Sequence, residues 1–413
     1  MVRRVVITGL GIISPVGSNP SEFFDNLMAG HSGIRRLQTH FIDKLSIRIG
    51  APVPNYNPAD YFSRIQLSGI ERFSQFALIA ARQAAADAQL EIAEHERTRA
   101  GVTMGTGMGG AGSLEDGYVE IFQRENPRVK PLTVLLTMNN AAASHISINF
   151  DLQGPNVTYS TACSSSAIAI GEAYRQIKDG YADVMLAGGS EALLTHGAMK
   201  AWEALRTLAL EDEQDASASC KPFSKDRSGL VLGEGAAVLV LEDAERAVKR
   251  GAKIYAELVG YESASDASHI TKPDAAGQTR AIANALRSAN MQPQDIDYIN
   301  AHGTATLVGD VQETLAIKQV FGEHAGNIPV SSTKSMHGHL MGATGAVEFM
   351  AALLALEHQA IPPTINLHQP DPECDLDYVP NEGRRNVELG TVMSNSFAFG
   401  GSNAVLIAKK FSD

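Results

Sequence analysis

The chain has 413 residues, 44% of them hydrophobic and 19% charged. That is ample apolar material for a core, and it excludes a disordered chain. Lys and Arg number 34 against 46 Asp and Glu, a formal net charge of −12, which excludes the broad basic face a nucleic-acid binder needs and leaves room only for a local basic patch toward an acidic partner. Three cysteines, Cys163, Cys220 and Cys374, are too few for a disulfide framework and suit a reducing compartment. The opening MVRRVVITGLGIISPVG has the charge profile of a signal peptide, but Gly9, Gly11 and Pro15 interrupt its apolar run, so a first strand and turn is the better reading. No apolar stretch approaches the roughly 20 residues that cross a bilayer. A soluble, cytoplasmic protein without a membrane contact is expected.

In chain order, short apolar strands are expected at Val5–Thr8, Val102–Met104, Asp183–Ala187, Ala236–Leu241, Ile296–Asn300, Ile328–Ser331 and Ala404–Ala408. Helical patterns fall between them at Phe73–Gln89, Ser164–Lys178, Gln278–Ala289 and Ala343–His358. This alternation is the α/β signature, with strands apolar on both faces. The segment Gly342–His358 is apolar nearly all round yet carries Glu348. A buried carboxylate needs a partner or a raised pKa, and Lys334, His337 and His339 lie just upstream.

Gly105-Thr-Gly107-Met-Gly-Gly110 matches GxGxxG after a strand, but a dinucleotide site also wants a helix opening there and an acid about 20 residues on. The next residues, GAGSLEDGY, read as polar loop, so no nicotinamide or flavin is expected. Cys163 stands in Ser160-Thr-Ala-Cys163-Ser-Ser-Ser, where an extended segment meets a helix start; the helix dipole and free N–H groups there should lower its pKa. His302 in NAHGTAT and His339 in STKSMHGH each follow a candidate strand, at the end where α/β sheets place ligands. The glycines of Phe397-Ala-Phe399-Gly-Gly-Ser-Asn403 bring backbone N–H donors within reach of a carbonyl. Cys163, His302 and His339 are also a zinc-ligand set, but the tight CxxC-type pairs of structural sites are absent, and no metal is expected. The alternative is one thiolate nucleophile and two imidazoles that stabilise a developing oxyanion.

The segments STACSSS, NAHGTAT, SSTKSMHGHLMGATGAVE and SFAFGGSN, in this order across essentially the whole chain, resemble the β-ketoacyl-acyl-carrier-protein synthases of the synthase II type. The resemblance implies a thiolase-like five-layered αβαβα fold of two similar halves, residues 1–250 carrying the nucleophile and 251–413 carrying both histidines. It implies that Cys163 accepts an acyl chain and that His302 and His339 stabilise the enolate formed when malonyl-acyl carrier protein loses CO₂. By the same carry-over, Lys334 and Glu348 orient His339, the N–H groups of Cys163 and Phe399 hold an oxyanion, and Phe399 gates the site. Thr304 and Thr306, with Thr271 a further candidate, match positions that bind the phosphopantetheine arm. Met108 and Trp202, the only Trp, would shape the acyl tunnel. No bound cofactor is implied.

The implied partners are acyl and malonyl carrier proteins and a second copy of the chain, or a related subunit. Arg64, Arg128, Lys130 and Arg206 are the docking candidates; Arg72 also stands in the SRIQLSGIERF stretch, which is poor in positive charge. Fatty-acid elongation is the leading role and a specialised type II polyketide or polyene pathway the alternative. A non-catalytic chain-length partner would lack the nucleophile, and a thiolase would want a second cysteine near the C-terminus. His337 has no assigned role.

Overall fold

The computed structural model describes residues 3–412. Ten strands form the main sheet system: β1 (Val5–Ile13), β2 (Ala100–Gly105), β3 (Asn156–Tyr159), β4 (Val184–Ala192), β5 (Glu234–Asp243), β6 (Ala256–Ser265), β7 (Tyr298–Asn300), β8 (Val330–Ser331), β9 (Thr391–Phe397) and β10 (Ser402–Lys409). Eight helices matter for the site: α1 (Arg72–Asp87), α2 (Ala111–Tyr118), α3 (Ala141–Phe150), α4 (Ser165–Lys178), α5 (His196–Leu205), α6 (Ala275–Ala289), α7 (Gly309–Phe321) and α8 (Thr344–His358).

The strand order is β8-β7-β9-β10-β6-β1-β5-β4-β2-β3. Outward from the central β6–β1 contact, both five-strand runs repeat one pattern. In the first, β1–β5 and β5–β4 are antiparallel, then β4–β2 and β2–β3 are parallel. In the second, β6–β10 and β10–β9 are antiparallel, then β9–β7 and β7–β8 are parallel. Val5, Val6 and Ile7 pair with Leu258, Glu257 and Ala256 to join the two. Helices α1 and α3 cover the outer face of the first run, and α6 and α7 that of the second. Between the runs lie α4 and α8, which touch strands of both and each other. The result is the five-layered αβαβα arrangement expected.

A helix between two sheets has no solvent face, which is why α8 is apolar all round and buried from Thr344 through Leu356. Small residues let the layers close. A Cβ on Gly171 of α4 would stand 2.1 Å from the ring of Tyr261 on β6, and one on Gly105 would stand 2.2 Å from the backbone N of Ser166. The second contact seats the start of α4 on the end of β2.

The expected strands and helices are all present, with β1 running on through Gly9 and Gly11 to Ile13. Strands β3, β6 and β9 are additions. Segment TVMSNSF of β9 is buried throughout, but Ser and Asn disfavour strands locally, so only its central place in the sheet makes it one. Helix α2 opens directly after the Gly105–Gly110 run, correcting the loop expected there.

Gly171→Ala is expected to cost about 1–3 kcal/mol through overpacking against Tyr261. Thermal unfolding checks this against Gly326→Ala, where an added Cβ meets nothing within 4 Å and the melting temperature should hold.

Candidate active site

Cys163 sits in a 3-10 turn, Ala162–Ser164, between β3 and α4. Ala162 holds the turn with φ of 52°, a left-handed conformation costly for a residue with a Cβ. His302 lies two residues past β7, His339 follows the short helical turn Lys334–His337 beyond β8, and Phe399 opens the turn between β9 and β10. Topology thus gathers four loops at one end of the sheets, the end at which ligands bind in α/β folds.

The Cys163 Sγ and one ring nitrogen each of His302 and His339 lie within 4.8 Å of one another, all buried. The imidazole rings stand edge to face at 5.6 Å. Hydrogen bonding sets their tautomers. The Met341 N–H donates to His339 Nδ1 at 3.0 Å, with Thr344 Oγ1 at 2.9 Å from the same atom. The proton is therefore on Nε2, a buried atom without a hydrogen-bond partner. Lys334 Nζ stands 3.3 Å from His302 Nδ1 and, as an ammonium, can only donate, which again puts the ring proton on Nε2. Burial and the Lys334 charge hold both imidazoles well below the usual histidine pKa, so both are neutral N–H donors.

Lys334 is itself fully buried. It donates to the His302 carbonyl oxygen and to Glu348 Oε1 at 2.5 Å, with neither side chain of the pair exposed. Burial pushes the Glu348 pKa up against the pull of Lys334. The resemblance assigned this pair to His339; the structure turns it to His302, and His339 is instead oriented by Met341 and Thr344.

The backbone N–H groups of Phe399 and of Cys163 itself hydrogen-bond to Sγ, and with the Lys334 charge they pull the thiol pKa down. Burial outweighs them and pushes it up to about 11. The lowered pKa expected from the helix start is therefore corrected: desolvation of a thiolate here exceeds what the donors return.

A cavity of about 270 Å³ reaches Cys163, His302 and His339 from the surface. Thr304 and Thr306 line it, their hydroxyls 2.9 Å apart. Thr271 and Arg206 lie at its mouth. Phe399 also lines it and stacks on Trp202, with ring centroids 5.9 Å apart. Trp202 and Met108 do not line this cavity. Trp202 packs in the apolar cluster that includes Cys163, Leu193, Met199 and Met341, and Met108 is 49% exposed. Lys130 lines a separate groove with Leu67, Arg72 and Glu115, while Arg64 and Arg128 are exposed elsewhere. Arg72 is held by Glu234 through two hydrogen bonds. Of the docking candidates, only Arg206 stands where the site opens.

His337 gains an account. Its Nδ1 donates to the Gly338 carbonyl at 2.7 Å and its Nε2 accepts from Thr333 Oγ1 at 2.9 Å. Burial lowers its pKa to about 3, so it is a neutral structural residue. Cys220 and Cys374 are buried, and burial raises both to about 12.

Three of the buried carboxylates that escaped the sequence reading clamp the loops of the site. Glu313 accepts the N–H groups of His302 and Gly303 at 2.8 and 2.7 Å. Asp310 accepts those of Phe223 and Ala305 at 2.7 and 3.1 Å. Their i, i+3 spacing on α7 was the only signal, and charged positions on a helix usually face water. Glu191 accepts from Gly107 N at 2.6 Å, Gly342 N at 3.0 Å and Met108 N at 3.3 Å; burial raises it to about 7. The glycine-rich run thus grips an internal carboxylate in place of a phosphate, and ties the Met108 loop to the one after His339.

The cysteine and two histidines also form a competent metal-ligand set, but the ammonium of Lys334 beside His302 opposes a cation there.

Comparison with known proteins agrees with this geometry. The family model "Beta-ketoacyl synthase, N-terminal domain" matches residues 2–247 and "Beta-ketoacyl synthase, C-terminal domain" residues 255–368. The chain is 42% identical over 411 residues to 3-oxoacyl-[acyl-carrier-protein] synthase 2 of Staphylococcus aureus (strain COL), covering 99% of each chain. Among solved structures it is similar to a β-ketoacyl synthase from Burkholderia phymatum, with 36% identity, a TM-score of 0.92 and coverage of 99% of this chain and 100% of that one. It is also similar to a type II polyketide ketosynthase solved with its acyl-carrier protein and a bound hexaketide, with 34% identity, a TM-score of 0.89 and full coverage of both. With two family models spanning most of its length and relatives matched end to end, this chain belongs to the β-ketoacyl synthase family.

Proposed function

We propose that this protein catalyses the decarboxylative Claisen condensation of fatty-acid elongation, joining a Cys163-bound acyl group to two carbons of malonyl-acyl carrier protein. The observation that carries this reading is the pair of neutral imidazoles whose Nε2–H donors converge on the nucleophilic thiol. A hydrolase or simple acyltransferase would want one histidine able to accept a proton; two neutral donors suit an enolate oxygen.

In the first half-reaction Cys163 Sγ attacks the acyl thioester. The carbonyl oxygen takes up negative charge between the N–H groups of Cys163 and Phe399, and the pantetheine sulfur leaves with the thiol's proton. In the second, the bond to the malonyl carboxylate breaks and CO₂ departs. The electron pair stays as an enolate whose oxygen accepts hydrogen bonds from His302 and His339. The enolate carbon attacks the Cys163 thioester, a C–C bond forms, the C–S bond breaks, and the released Cys163 thiolate takes a proton from water. Loss of CO₂ drives the step, so no cofactor is required.

Lys334 fixes the His302 tautomer through Nδ1, and Glu348 balances the Lys334 charge. Thr304 and Thr306 would bond the pantetheine arm, with Thr271 at the entrance. Phe399 would swing from its stack on Trp202 to admit an acyl chain to the apolar cluster, where Trp202 sets its room; Met108, exposed and outside that cluster, would not. Residues 1–250 and 251–413 would act as two ketoacyl synthase halves, supplying the thiol and the imidazoles respectively.

The chain would work as a dimer, through edge strand β3 and the adjacent helix α3, which carries exposed Ile148. A second copy is the simplest partner, a related subunit the alternative. A working thiol and two further free cysteines suit a reducing compartment, and the cytoplasm is the location this reading assigns. Among the described residues no helix is long and apolar enough to cross a membrane. The ketosynthase role in a specialised type II pathway is the second reading, supported by the hexaketide-bound relative at 34% identity; the 42% identity to the elongation synthase favours the first.

Intact-protein mass spectrometry with acyl carrier proteins of several chain lengths, followed by malonyl carrier protein, tests the reaction. An adduct on the wild type, none on Cys163→Ala, and a product two carbons longer are expected; no adduct with any chain length would refute it. Lys334→Ala should slow malonyl decarboxylation by about a hundredfold, because His302 loses its fixed donor, while acylation of Cys163 persists. Burial of the thiol predicts that iodoacetamide alkylation of Cys163 rises steadily from about pH 7 to 9, since the thiolate fraction grows up to the pKa; a plateau near pH 7 would contradict this. Over the same range both imidazoles stay neutral, so decarboxylation should not fall as pH drops toward 7.

A further inference from the structure

Arg227 is a buried charge that the reaction described above does not use. Its side chain is 1% exposed, and a guanidinium keeps its charge, so its N–H groups must find acceptors inside the protein. Nε donates to the Thr306 carbonyl at 3.0 Å and Nη2 to the Leu307 carbonyl at 2.8 Å. Nη1 donates to the Ser224 carbonyl at 2.7 Å and to Asp371 Oδ2 at 2.6 Å. Asp310 Oδ2 stands 3.7 Å from Nε as a second counter-charge. Two of these acceptors are consecutive carbonyls of one loop, residues 301–308, which brings Thr304 and Thr306 to the wall of the Cys163 cavity.

The same loop is held through its N–H groups. Ala305, with φ of 64°, donates to Asp310 Oδ1 at 3.1 Å, and the Gly309 N–H donates to Thr306 Oγ1 at 3.2 Å. A left-handed alanine is costly and persists only where its surroundings impose it. Arg227 and Asp310 impose it together, one through carbonyls and the other through an N–H. The consequence reaches the hydroxyls. Thr304 Oγ1 and Thr306 Oγ1 lie 2.9 Å apart, so one hydroxyl proton is spent between them and, whichever residue donates it, one is left over. Thr306 Oγ1 already accepts from Gly309. The pair therefore offers the cavity a single O–H donor, and the backbone that Arg227 grips decides where it stands.

We propose that Arg227 is a positioning residue for the pantetheine arm: by fixing the Thr306 and Leu307 carbonyls it sets the threonine hydroxyl pair at the point where it donates to an amide carbonyl of the arm. Arg227 does not line the cavity; it acts from the loop before β5 on the loop after β7. This rests on the condensing reading above and adds the group that shapes its arm site. Lysine is a poor replacement, because one ammonium cannot span the four acceptors that the planar guanidinium fork reaches.

The test follows Cys163 acylation against donor concentration by intact-protein mass spectrometry, with two donors of the same acyl group. Hexanoyl-pantetheine carries the arm; the hexanoyl thioester of 2-mercaptoethanol carries the reacting thioester without the arm's amides. Arg227→Lys should raise the half-saturating concentration of hexanoyl-pantetheine by about tenfold and leave its maximal rate, and the mercaptoethanol reaction, within about twofold of wild type. Asp371→Asn loosens Arg227 at a partner that is 16% exposed. It should show the same pattern at smaller size, and it decides the matter if Arg227→Lys does not fold. Adding Arg227→Lys to Thr304→Val with Thr306→Val should cost less than about twofold more, since the bond to the arm is already gone. Equal losses with both donors, no loss with either, or full additivity with the threonine variants would overturn the inference. Wild type acylated by hexanoyl-pantetheine keeps the condensing reading intact under any of those results; acylation by neither donor would remove that reading and this inference together.

Discussion

Lys334 is a fully buried cation, and the candidate active site is arranged around it. An ammonium without water must have its protons accepted nearby. The acceptors are Glu348 Oε1, the His302 carbonyl and His302 Nδ1. These bonds account for the polar interruption in the otherwise apolar α8 and the tautomer of His302; burial, and then the Lys334 charge, keep both imidazoles neutral. Removing either member of the ion pair would strand the other in a medium that cannot solvate it.

The loops that carry the candidate site residues are fixed by backbone hydrogen bonds to buried carboxylates. Glu313 caps the His302 loop, Asp310 the Ala305 segment, and Glu191 joins the Gly107 run to Gly342. Each carboxylate accepts two or three N–H groups that would otherwise be buried without partners. Strain is held in the same places: Ala162, Ala305 and Met341 all have positive φ. Such conformations persist only where the surroundings over-determine them, and here the surrounding carboxylates and layered helices do so.

The two sides of Cys163 are built differently. The entrance side is an open cavity with paired threonine hydroxyls. The other side is a packed apolar cluster closed by the Phe399–Trp202 stack. The proposed reaction would use the first for an arm that comes and goes and the second for a chain shielded from water, and the turn at Phe399–Gly401, whose two glycines hold positive φ, lies between them.

Much was legible in the residues alone. The α/β alternation, the strand-end histidines, the thiol at a helix start and the anomalous Glu348 are local patterns, set by side-chain periodicity and by which residue types can end a strand or begin a helix. The order of four motifs then pointed to the family. The tertiary structure decided what depends on distance and burial. It turned Lys334 to His302, raised the Cys163 thiol where the helix start alone argued for lowering it, and made a strand of TVMSNSF. It also revealed Glu191, Asp310 and Glu313 as internal clamps, and separated Arg206 from the other basic candidates. The physical reason is common to all of these: a charge, a hydroxyl or an N–H has its energy set by the low-dielectric neighbours that folding brings from distant parts of the chain, and those neighbours carry no mark in the local sequence.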